Sequence, residues 1–197
     1  MSPTADHILV DDARDRLGAA PGVVGRHSLR MAALAQALAT RDGLDVDGAG
    51  LFCACVFHDL GMGVPGRAPF PSRSAGLLAG FLAEHDMPPT RARPLVEAVR
   101  RHLAPPLDLG PRHGIPAEVH LLRRVAWLDV LGVGDLGARR LRRELRDADS
   151  DPALDVRLAA LIGVVCARDL LAGARGVLSA GAAQPVLRNA RNTTRSA

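Results

Sequence analysis

Gly48-Ala49-Gly50-Leu51-Phe52-Cys53-Ala54-Cys55-Val56-Phe57-His58-Asp59-Leu60-Gly61 is the stretch whose reading decides the fold. Asp47 in front of it is a helix N-cap by residue type. From Ala49 to Phe57 the run is apolar on every side of a helix, so the helix is buried on every side. Its length is about half of what a bilayer crossing needs, which makes it a core helix. A buried helix that ends in His-Asp poses a question of chemistry, because an ionisable pair delivered to a core needs partners there.

Those partners are found outward along the chain. Upstream, a helix at 22–41 puts His27 on one stripe with Val23, Met31, Leu34 and Leu38. Downstream, a helix at 116–132 puts Asp129 in line with Leu122, Val125 and Ala126, where an unpaired carboxylate is costly. His102 follows Leu95, Ala98 and Val99 on the inner face of a helix at 91–103. His85 lies just before Pro88-Pro89, near a helix C-terminus that favours a histidine, and is read as structural; His7, His113 and His120 are read as surface or loop residues. Two histidines and two aspartates aimed inward from three helices form the mixed nitrogen and oxygen donor set of a divalent transition metal. His102 is then a further ligand or an acid/base.

The rest of the pattern is helical as well. Further helices are expected at 6–18, 47–60, 72–86, 135–147 and 152–173, with Asp151 as a cap and Pro152 at a first helical position. Breaks fall at Pro21-Gly22, Asp42-Gly43, Gly61 to Pro71, Pro88-Pro89 and Pro105 to Pro116. The fold class is therefore all-α. Residues 1–20 are expected as an N-terminal helix packed on the domain, 21–180 as the domain itself with its motif core at 21–135, and 181–197 as a polar, flexible tail. The Ala- and Leu-rich helix at 152–173 leaves core packing and a homo-oligomer interface both open.

Composition removes several classes. Met1 to Val10 carries Asp6 and His7 where a secretory signal has a basic segment followed by an apolar one, so a cytoplasmic protein without membrane association is expected. Three cysteines argue for reduced thiols, and Cys53-x-Cys55 on a helix points its sulfurs apart. The net charge of +4 rests on arginine alone, with four Phe, one Trp and no Tyr to stack on bases, so a small-molecule substrate is expected and nucleic acid is not. The cluster Arg139, Arg140, Arg142, Arg143 and Arg146, interrupted by Glu144, reads as a solvated helix face.

The ordered set of His27 in Gly25-Arg26-His27-Ser28-Leu29-Arg30, His58-Asp59 in Phe57-His58-Asp59-Leu60-Gly61, and Asp129 in Trp127-Leu128-Asp129-Val130-Leu131-Gly132 resembles the HD-domain superfamily of helical metal-dependent enzymes. The resemblance implies a single helical bundle domain of the HD type. It also implies that His27, His58, Asp59 and Asp129 ligate one divalent ion, zinc first, with iron or manganese as alternatives. Two-metal branches place a histidine four residues before a small pair; here that pair is Ser74-Ala75 and the residue is Phe70, which cannot ligate. The segment Arg67 to Ala75 looks like the Phe-Glu-x-x-Gly-Ala element of the cyanamide hydratase-like, mononuclear branch, with Pro71 in place of the glutamate and Ser74 in place of the glycine.

This branch implies a hydratase or hydrolase that adds water to a nitrile-, isocyanide- or amide-like carbon of a small polar substrate. His102 and Asp59 are then the expected catalytic residues, and Phe70, Phe57, Arg30 and Arg73 the expected substrate contacts. The alternative is a phosphohydrolase on nucleotides or other phosphomonoesters, with Arg26, Arg30, Arg67 or Arg73 on the phosphate. Branches of that kind commonly follow His-Asp with a glutamate, where this chain has Leu60-Gly61-Met62-Gly63.

Overall fold

Eight helical segments and one short turn of 3₁₀ helix carry the chain in a computed structural model that describes residues 3–18, 22–104, 115–148 and 153–171. They are α1 (Pro3–Asp15), α2 (Val23–Asp42), α3 (Gly48–Phe57), a 3₁₀ turn (Leu60–Gly63), α4 (Phe70–Glu84), α5 (Pro89–Arg101), α6 (Ala117–Leu131), α7 (Leu136–Asp147) and α8, helical over 154–171. No strand occurs among the described residues, so the all-α expectation holds. Residues Asp151, Pro152 and His113, most of the 105–116 break and the 181–197 tail lie outside the described residues.

The all-round apolar helix sits at the centre. α3 packs on α1, α2, α4, α5 and α6, and Cys53 to Phe57 are buried without exception. Asp47 caps it as expected, its carboxylate accepting the Gly50 N–H at 3.0 Å while Arg91 of α5 grips the same group at 2.8 Å. Each surrounding helix turns one apolar stripe toward α3: Met31, Leu34 and Leu38 from α2, Leu78 and Leu82 from α4, Leu95 and Val99 from α5, Leu122 and Val125 from α6. Fully burying one such side chain is worth about 1.5–3 kcal/mol. Burial pushes the Cys53 thiol up to about 12, so this sulfur packs as a small apolar group.

No helix is long and apolar enough to cross a membrane among the described residues. α8 is exposed along most of its length. Leu154, Leu158 and Val165 face the body, whereas Val156, Val164, Leu170 and Leu171 are exposed. Two aspartates fasten it. Asp155 meets Arg30, Arg142 and Arg146, and Asp169 accepts the Phe70 N–H at 2.7 Å and pairs with Arg73.

The segment after His58-Asp59 differs from expectation. A break was expected from Gly61 to Pro71, yet residues 60–63 form a 3₁₀ turn and α4 starts at Phe70, two residues early. Both differences have a local cause. Pro71 falls in the first turn of α4, where its missing N–H costs nothing. Gly61 lies against that turn so closely that an added Cβ would meet Phe70 O and Ser74 N at 2.5 Å. Ser74 Oγ accepts the Gly61 N–H at 2.9 Å, which ties the 3₁₀ turn to α4.

Candidate metal centre

Four helices and the residue that follows one of them bring five ionisable side chains into one buried cluster. His27 comes from α2, His58 is the C-cap of α3 with Asp59 directly after it, His102 is the C-cap of α5, and Asp129 lies in the last turn of α6. The three imidazoles are each 1% exposed, Asp59 2% and Asp129 0%. The helical stripes that pointed these residues inward are therefore the stripes observed.

Hydrogen bonding settles the tautomers. His58 Nδ1–H donates to the Cys55 carbonyl at 2.7 Å, and His102 Nδ1–H donates to the Val99 carbonyl at the same distance. His27 Nδ1–H donates to Asp129 Oδ2 at 2.6 Å. With Nδ1 committed in this way, the neutral form of each ring carries its lone pair on Nε2. These lone pairs face one another and Asp59: His27 Nε2 stands 3.1 Å from His58 Nε2, His58 Nε2 3.2 Å from Asp59 Oδ2, and His102 Nε2 3.4 Å from Asp59 Oδ1. His102 Nε2 has no hydrogen-bond partner among the described residues.

A buried meeting of acceptors without a donor is unfavourable unless a cation joins them. Metal–nitrogen bonds of about 2.0–2.1 Å put neighbouring ligand nitrogens about 3 Å apart, which the His27–His58 separation matches. His27, His58 and Asp59 offer donor atoms that all lie within 4.8 Å of one another. The group therefore fits a divalent ion on its donor chemistry.

Without an ion, a proton on the imidazoles balances the carboxylates. Burial works against the Asp59 carboxylate, but the His58 and His102 rings facing it outweigh burial and hold it well below the usual carboxylate range. Burial likewise opposes the charge on Asp129, and the bonds from His27 and Arg30 reverse the effect and lower it. Burial pulls His58 toward neutrality while Asp59 pulls it the other way, and the net direction is upward. His102 goes downward because burial dominates, so its ring is neutral.

Asp129 occupies a different place from the other three expected ligands. It sits beyond His27, against Nδ1, and Arg30 forks onto it with Nε–Oδ1 at 2.7 Å and Nη2–Oδ2 at 2.9 Å. In this arrangement the carboxylate fixes the tautomer and orientation of a ligand ring. His85, read as structural, is the C-cap of α4 and pairs with Asp12 at 3.4 Å.

Over the donor cluster opens a cavity of about 290 Å³. His27, His58, Asp59 and His102 form its floor, and Leu103, Trp127, Val130 and Leu131 with Ala159 and Ile162 of α8 form its walls. The four expected substrate contacts are placed elsewhere. Phe57 stacks on Phe81 at 4.7 Å, Phe70 backs the His102 ring at 5.8 Å, Arg30 is engaged by Asp129 and Asp155, and Arg73 bonds the Gly61 and Ala68 carbonyls and Asp169. The walls that take their place were not anticipated. Trp127 was visible only as the neighbour of Asp129, and its Nε1–H donates to Ala104 O at 3.2 Å. For the α8 wall the available signal was Asp155, a carboxylate in an otherwise Ala- and Leu-rich helix.

No curated protein and no solved structure matches the chain. The HD domain family model matches residues 24–159, which spans α2 to α8 and includes His27, the His58-Asp59 pair and Asp129. On that match and on the buried His/His/Asp cluster, the chain belongs to the HD domain family.

Proposed function

We infer that the protein is a metal-dependent hydratase or hydrolase that adds water to the nitrile-, isocyanide- or amide-like carbon of a small neutral substrate, in the manner of the cyanamide hydratase-like branch. Family and cluster carry the coarser statement, metal-dependent chemistry of the hydrolase type. The observation that supports the finer reading is the cavity: its lining among the described residues includes no arginine, while its walls are aliphatic and indole. A phosphate monoester entering there would lose its hydration without gaining a cationic side chain. A small uncharged molecule loses little and gains apolar contact.

His27, His58 and Asp59 would hold the ion, with Asp129 orienting His27. A divalent ion in such a site supplies Lewis acidity and makes water a nucleophile at neutral pH. His102 supplies the proton handling. Its Nδ1–H is committed to Val99 O, so Nε2 is the only ring position free to take a proton from water and return it to the substrate nitrogen. Phe70 against the back of the ring keeps water from that side. Leu103, Trp127 and Ile162 wall the cavity side with apolar groups, which lowers the local dielectric and strengthens each electrostatic contact inside.

The test is a purified full-length chain loaded separately with Zn²⁺, Fe²⁺ and Mn²⁺, assayed for bound metal and for turnover of small nitriles, isocyanides and amides beside a panel of nucleoside monophosphates. About one ion per chain and turnover confined to the neutral carbon–nitrogen substrates is expected. Inorganic phosphate released from the nucleotides, with no turnover of the neutral set, overturns the reading in favour of a phosphohydrolase.

A further inference from the structure

α8 reaches the candidate centre by two routes. Ala159, Ile162 and Gly163 wall the cavity directly. One turn before them, Asp155 enters a chain of ion pairs that ends on a ligand ring. Arg30 is the middle of that chain: 6% exposed, it forks onto Asp129, and its Nη2 also donates to Asp155 Oδ1 at 2.6 Å. Asp129 in turn accepts the proton of His27 Nδ1. Arg142 of α7 closes the far side, donating to Asp155 Oδ2 at 3.1 Å and to the Asp129 main-chain carbonyl at 2.8 Å.

A buried guanidinium is tolerated only while its charge and donors are matched. Arg30 has little in reserve, since Nη1 has no partner among the described residues. Without Asp155 the guanidinium loses its anchor on α8, and the fork it makes on Asp129 is no longer held in one place. Asp129 then ceases to fix His27. His58 and His102 are unaffected, because their Nδ1 protons go to main-chain carbonyls of their own helices.

We propose that Asp155 is a positioning residue of the metal centre, seating His27 through Arg30 and Asp129, so that the cover helix and one ligand are set together. The proposal rests on the metal reading above. Asp169 is the internal control: it fastens the other end of α8 through the Phe70 N–H and Arg73 and touches no member of the chain from Asp155 to His27.

The experiment is titration of the full-length, metal-free chain with Co²⁺, read both as affinity and as the visible absorption bands that report the ligand field. Partners outside the ligand shell typically change metal affinity about 10–100-fold, so Asp155→Asn is expected to bind Co²⁺ at least about tenfold more weakly, with shifted bands. Asp155→Glu restores both, and Asp169→Asn keeps the wild-type values. Arg30→Lys retains the charge, loses the fork and reproduces the loss, which keeps the claim testable should Asp155→Asn not fold. Wild-type affinity and bands in folded Asp155→Asn or in Arg30→Lys overturn the proposal, as does an equal loss in Asp169→Asn, which would make α8 packing the cause. A wild-type chain that takes up no Co²⁺ overturns the metal reading and this proposal together, an outcome distinct from a loaded wild type with an unaffected Asp155→Asn.

Discussion

His27, His58 and His102 share one arrangement, Nδ1–H committed to an acceptor and Nε2 turned inward, but they differ in what that acceptor is. For His58 and His102 it is a main-chain carbonyl three residues back in the same helix, so the orientation is local. For His27 it is Asp129, more than a hundred residues away. Deleting Asp129 therefore does two things: it frees the ring and strands Arg30, and breaking such a buried pair costs about 3–5 kcal/mol. Asp129→Ala is expected to lose the ion and to unfold several degrees earlier, measured by elemental analysis and thermal denaturation. His102→Ala should keep about one ion per chain while turnover falls about 10²–10⁴-fold; full turnover in that variant removes His102 from the chemistry. The five polar residues were legible in the sequence because His27, His102 and Asp129 each break an apolar stripe and His58-Asp59 end a run that is apolar on every side. The substrate contacts were not, since periodicity says that Phe57 points inward and is silent on whether Phe81 or the cavity waits there.

At the scale of the elements, termini decide more than interiors do. α3 can hand His58 and Asp59 to the centre only because it stops at Phe57 and the chain turns at once into Leu60–Gly63. The stop depends on Gly61, whose bare Cα lets the first turn of α4 approach. Gly61→Ala is expected to cost about 1–3 kcal/mol, as overpacking does, because the clashing atoms are backbone and cannot swing aside. Urea denaturation would read this as a lower midpoint, and an unchanged midpoint would show that the turn can shift. Asp47→Ala removes a cap worth about 1 kcal/mol together with both bonds that Arg91 makes to that carboxylate. The helices themselves were readable from proline, glycine and the 3.6-residue period. The 3₁₀ turn was not, since a glycine-rich tetrapeptide lacks periodicity, and its form comes from Ser74 on another element.

The whole molecule joins its metal chemistry to its stability through protons. Asp42, Asp47, Asp59, Asp129, Asp135 and Asp169 are all held below the ordinary 3.8, mainly by arginine or histidine partners against the cost of burial. A carboxylate lowered in the fold contributes stability that is present above 3.8 and is lost as pH falls through the lower folded value. Acid unfolding should accordingly set in below about pH 4. The ion obeys a different window. Its ligands must be unprotonated, and His58, raised by Asp59 against the effect of burial, takes a proton more readily than a free imidazole, so proton competition with the ion begins above 6.5 and grows toward acid. At a hundredfold excess over its dissociation constant a bound ion adds about 2.7 kcal/mol, which for a chain of this length corresponds to about 5–10 °C in melting temperature. Zinc should thus raise the melting temperature by that amount at pH 7.5 and by little at pH 5, where the carboxylate network is still intact. An equal rise at both values would mean that the ion is held by carboxylates alone, and would remove the imidazole floor of the cavity from the metal site.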